Sequence, residues 1–162
     1  MNSMLRLSAA ALVVLMVTAL GASADDEKEE KVPLDKVPKA VLDAVKAKFP
    51  KAKLVSAEKE KEDGKLVYEI NIKDDGKTVE VTVTPEGKIV SVEKTIKEKD
   101  LPEAVTEAFK KKYPGATVKL VEEVVKGQKV YYELQIVTKD KKKLEVEFDP
   151  KGKFLKEEKK KS

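Results

Sequence analysis

Nucleophilic catalysis needs a Ser, Thr, Cys or Lys held beside a positioned base. This sequence has no Cys and no His, so the usual Ser-His and Cys-His arrangements are absent. A Ser-Lys dyad is the remaining possibility. Ser56 and Ser91 are its candidates, but both fall in expected strands among many surface lysines, where chance proximity accounts for the pairing. Paired carboxylates could hydrolyse glycosides. Glu122-Glu123 and Glu157-Glu158 are adjacent in sequence, and neighbouring strand residues point to opposite faces. Asp74-Asp75-Gly76 is acidic and turn-forming, but the longer calcium-loop pattern is missing. No glycine-rich phosphate cradle occurs. The sequence therefore assigns no catalytic residue, no metal ligand and no cofactor.

Charge narrows the partners. Of 162 residues, 34 are basic and 30 acidic. Arg6 is the one arginine. Readers of phosphate or nucleic acid favour the planar arginine fork, so nucleic acid is not an expected partner. Interspersed charge of both signs reads as a solubilising surface.

The elements that must position any site come from one stretch that occurs twice. Val37-Pro38-Lys39-Ala40-Val41 through Phe49-Pro50 recurs as Leu101-Pro102-Glu103-Ala104-Val105 through Tyr113-Pro114. Val37, Val41, Val45 and Phe49 fall four apart, as do Leu101, Val105, Phe109 and Tyr113. That is the apolar stripe of an amphipathic helix. Proline is tolerated in the first turn, and Pro50 and Pro114 stop the helix. Asp100 with Glu103 predicts a capping box on the second copy. A helix of about three turns is marginal alone and must dock.

After each helix the apolar period drops from four to two, as in half-buried strands. The expected strands lie near Lys53–Glu62, Leu66–Ile72, Thr78–Val83 and Lys88–Thr95. Their counterparts lie near Thr117–Lys126, Val130–Ile136, Leu144–Phe148 and Lys153–Lys159. Asp63-Gly64, Asp75-Gly76, Pro85-Glu86-Gly87-Lys88 and Pro150-Lys151-Gly152-Lys153 supply turn chemistry. The predicted fold class is α+β. It has two tandem repeats, each with one helix on a four-stranded antiparallel meander whose other face meets solvent. The repeat spacing is 64, widening to 65 after Ile136.

The organisation expected from this is a signal peptide at 1–24, a disordered leader at 25–31, repeat one at 32–96, and repeat two at 97–162 with a basic tail. Leu7–Leu20 is apolar, and Ala22-Ser23-Ala24 fits the small-x-small cleavage pattern. The run is shorter than a membrane span needs, so no stable insertion is expected after cleavage.

The pattern resembles the PepSY-like, β-lactamase-inhibitor-like family. The residues that carry the likeness are Val37-Pro38 to Phe49-Pro50, Tyr68-Glu69 and Pro85-Glu86-Gly87-Lys88, with their counterparts Leu101-Pro102 to Tyr113-Pro114, Tyr132-Glu133 and Pro150-Lys151-Gly152-Lys153. The resemblance implies a periplasmic or secreted bacterial protein without catalysis. It also implies inhibition or regulation of a peptidase or other envelope or extracellular hydrolase. On that reading the chain is an exported binding module whose open sheet face meets its partner through Val67, Glu69, Tyr131 and Glu133. Tyr131 is either a contact anchor or a cover for sheet surface shared between repeats. The alternative is a small-ligand or calcium-binding envelope protein.

Overall fold

The computed structural model describes residues 29–62 and 64–159. The expected signal peptide, most of the leader, Asp63 and the last residues of the basic tail lie outside the described residues.

The two proline-bracketed stretches are helices, α1 (Lys39–Lys48) and α2 (Glu103–Lys112). Each begins after a proline at its N-cap, Pro38 or Pro102, with no side-chain capping bond. The expected Asp100–Glu103 box therefore does not form. Asp100 instead belongs to a separate 3-10 turn, Glu98–Asp100, and proline holds the capping position. Each helix closes on an aromatic residue. The N–H groups of Phe49 and Tyr113 donate to the carbonyls of Val45 and Phe109, both at 2.8 Å.

The strands are β1 (Glu30–Lys31), β2 (Lys53–Glu62), β3 (Lys65–Asp74), β4 (Lys77–Val83), β5 (Ile89–Thr95), β6 (Thr117–Lys126), β7 (Lys129–Val137), β8 (Lys143–Phe148) and β9 (Phe154–Lys159). They do not make two separate four-stranded sheets. All nine lie in one antiparallel sheet in chain order, because β5 pairs with β6 and joins the halves without a break. Glu30 and Lys31, expected to end an unstructured leader, form β1 on the outer edge of β2.

Val41 and Val45 of α1 pack on Ile70, Ile72, Val79, Val81 and Val83. Val105 and Phe109 of α2 pack on Leu134, Ile136, Val146 and Phe148. These are alternate residues of the strands, so both helices cover the same face. The PxGK turns hold the helices at close range. A side-chain carbon on Gly87 would stand 2.7 Å from the Ala40 carbonyl oxygen, and Gly152 meets Ala104 in the same way. Both glycines also have positive φ, 87° and 78°, which only glycine accepts without strain.

Candidate binding face

The face away from the helices is built in cross-strand rows, since directly paired residues share a face. One row runs Glu58, Glu69, Thr82, Ser91, Lys126. The next runs Ser56, Asn71, Glu80, Glu93, Val124, Tyr131. A third runs Thr95, Glu122, Glu133, Glu147, Lys156. Beyond it lie Leu120, Gln135, Glu145 and Glu158. Carboxylates fill the centre of this face, while lysines stand towards its margins.

This face was expected to lie open to solvent, but the sheet curls around it. Glu62 ends β2 and Lys126 ends β6, four strands apart. On a flat sheet that separation is roughly 19 Å. Yet Lys126 Nζ lies 2.5 Å from Glu62 Oε1, so the β2–β3 and β6–β7 ends bend towards each other. The ladder register shifts between Leu54 and Ser56, Thr82 and Val83, Val118 and Leu120, and Glu147 and Phe148. Bulges strengthen local twist and bend a strand.

Curling buries the floor. Val67 is 3% exposed and Val124 is fully buried, although neither touches the helix-side cores. Thr82 and Ser91 are also buried, and the Ser91 hydroxyl donates to Thr82 Oγ1 at 2.9 Å. Of the four residues expected to make contact, Val67 therefore lies beneath the surface. Glu69, Tyr131 and Glu133 are half-buried on it.

Burial next to like charges holds protons on these carboxylates. Glu80 is pushed up to about 7, first by desolvation and then by Glu122, against a hydrogen bond from Asn71. Glu93 is also pushed up to about 7, by desolvation and then by Glu80 and Glu122. Glu69 is raised well above the carboxylate range by desolvation, Glu80 and Glu60. Desolvation, Glu145 and Glu93 raise Glu133 likewise. The Tyr131 phenol is raised by desolvation and by Glu147 and Glu93. Sequence reasoning singled out Glu69 and Glu133 but not Glu80, Glu93 or Glu145. For Glu80 and Glu145 the signal was available as glutamates alternating with core residues of β4 and β8, whereas Glu93 lies in β5 beside Val92.

Among the described residues, neither the Ser-Lys pair at Ser91 nor the adjacent glutamates Glu122-Glu123 are brought together. Lys126 is the cross-strand partner of Ser91, but its ammonium is held by Glu62 while the serine hydroxyl faces Thr82. Glu122 lies on this face, whereas Glu123 lies on the other, 3.4 Å from the Tyr132 hydroxyl. Asp75 and Gly76 adopt positive φ in the β3–β4 turn. Among the described residues no group of three or more acidic side chains is disposed to hold a metal ion.

The family model described as PepSY, peptidase propeptide and YPEB domain, matches residues 38–93. The β-lactamase-inhibitor-like, PepSY-like model matches residues 88–156. Together the two PepSY-type models cover residues 38–156. A PepSY helix, its strands and the PxGK turn are the parts these matches cover. Among curated proteins, none matches the chain. Solved structures share the fold. A protein described as periplasmic from Bacteroides eggerthii is 21% identical, with a TM-score of 0.66 over 76% of this chain and 88% of the other. A DUF2874 family protein from Bacteroides uniformis is 19% identical, with a TM-score of 0.66 over 75% and 88%. A BLIP-like protein from Bacteroides fragilis is 22% identical, with a TM-score of 0.61 over 74% and 84%. Among the described residues no helix is long and apolar enough to cross a membrane.

Proposed function

We propose that this chain is an internally duplicated, exported, non-enzymatic module of the PepSY type that binds another protein through its curled sheet face. The observation that carries this reading is the gathering of Glu69, Glu80, Glu93, Glu133 and Glu145 on one face. Burial, and then mutual repulsion, keeps several of them protonated. Keeping like charges together opposes folding, and a cationic partner surface would relieve it. Tyr131 adds an amphipathic anchor of the kind enriched at interface centres. Val67 supports the face from below, while Glu69, Tyr131 and Glu133 meet the partner. The inhibitor-like family description points to an envelope or extracellular hydrolase as the first partner to test. Export rests on the N-terminal pattern at 1–24 and on a structural relative described as periplasmic.

The test is recovery of a partner from envelope extract on the immobilised chain, followed by direct titration with that purified partner. Tyr131→Ala should weaken the titrated affinity at least tenfold, and Glu69→Lys/Glu133→Lys should abolish it. Equal affinity for all three proteins would remove this face from consideration.

A further inference from the structure

The short strand β1 reproduces a junction found inside the molecule. It pairs Glu30 with Lys59 and Lys31 with Glu58. At the junction of the halves, Lys94 pairs with Glu123 and Thr95 with Glu122. Each of these residues lies 64 positions further on. The flanking bonds correspond too, with Val32 N–H donating to the Ala57 carbonyl at 2.9 Å and Ile96 N–H to that of Val121 at 3.0 Å. On β2, therefore, β1 takes the place that the end of β5 takes on β6.

The imitation is incomplete. β5 continues along β6 through Glu93–Val124, Val92–Val125 and Ser91–Lys126. β1 stops, because its next residue, Glu29, would face Glu60, and like charges directly opposed destabilise a pair. The Lys61–Glu62 edge of β2 thus carries no strand among the described residues.

The other end of the sheet offers what this edge lacks. β9 stands to β8 as β5 stands to β4: Val79–Lys94 corresponds to Leu144–Lys159, and Val81–Val92 to Val146–Glu157, 65 positions on. The outer edge of β9 is the counterpart of the edge of β5 that β6 takes. Transferring the β5–β6 register to β9 of one molecule and β2 of another opposes Glu157 to Lys61 and Lys156 to Glu62. Both pairs are opposite in charge, and in the second each group would exchange or share a partner within its own chain, since Glu62 meets Lys126 at 2.5 Å and Lys156 meets Glu158 at 2.7 Å. The like pair Lys159–Lys59 would follow, but there Lys59 already meets Glu30 at 3.0 Å. The intervening pair, Glu158–Glu60, is also like-charged and limits the strength of the contact.

We propose that the Lys61–Glu62 edge of β2 accepts the Lys156–Glu157 edge of β9 from a second copy of the chain, continuing the sheet between molecules in the β5–β6 register. Such a contact joins different surfaces of the two copies, so it propagates as a head-to-tail chain rather than closing into a dimer. With few residues paired, it is weak and concentration-dependent. β1 sets the near boundary of that edge.

The absence of native cysteine permits a direct test in the full chain. Lys61→Cys/Glu157→Cys should give a ladder of disulfide-linked dimers and longer chains under mild oxidation. The out-of-register pair Lys53→Cys/Glu157→Cys should give several-fold less. Adding Lys156→Glu to the in-register variant should reduce its ladder, because it faces Glu62 with a like charge. Absence of a ladder, equal ladders from the two cysteine pairs, insensitivity to Lys156→Glu, or an internally crosslinked monomer would each overturn the proposal.

Discussion

The carboxylates of the curled face make stability depend on pH in a stated direction. Glu80 and Glu93 titrate at about 7 in the folded chain, against 4.5 ordinarily. Between those values the folded state binds more protons than the unfolded state, so stability falls as pH rises. The contribution is fully present below about 4.5 and gone above about 7. Glu69 and Glu133, raised further, extend the decline upward. A displacement of this size bounds each of Glu80 and Glu93 at about 3 kcal/mol. The two bounds do not add, because Glu80 is one of the charges that raise Glu93. For a chain of this size, about 3 kcal/mol corresponds to roughly 6–12 °C in Tm. The assay is thermal melting by circular dichroism from about pH 5 to about pH 8. Tm should fall across that range. Glu80→Gln and Glu93→Gln should each raise Tm at the alkaline end and flatten the profile. Glu107→Gln, on the exposed side of α2, should leave the profile unchanged. A Tm that is flat or rising with pH, or Gln variants that lose stability at the alkaline end, would refute the argument.

Two further outcomes follow from the packing. Gly87→Ala combines a positive φ with a backbone collision at Ala40 and should cost roughly 2–4 kcal/mol in denaturant unfolding. Gly127→Ala, with positive φ but open space around it, should cost about 1 kcal/mol. Ser91→Ala removes the buried donor to Thr82 and should cost about 1–3 kcal/mol. Adding Thr82→Val should recover part of that loss, since the buried hydroxyl that lost its partner is then gone too.

Much of the architecture was legible because it is local. The helix stripe Val41–Val45 and its counterpart Val105–Phe109 are buried as their spacing requires. The first strand of each half spans the residues expected from the period-two pattern. What the sequence could not disclose is pairing between distant elements. Alternation in β5 says which residues face the helix, but not that β6 will lie alongside. The capping box failed because proline displaced Asp100 from the capping position. Alternation places Val67 on the solvent side because it counts faces and does not see curvature. Its burial follows from the bend that brings Glu62 to Lys126, a contact with no local signature. Tyr131 lies on the expected face because only the period decides that.

The sheet order follows the chain order without a crossover, and this bears on how the molecule is made. Each ribbon finds its neighbour within a few tens of residues, so closing each loop costs little entropy. A polypeptide leaving the ribosome can lay down the layer hairpin by hairpin. No early segment then has to wait, exposed, for a partner that is synthesised last.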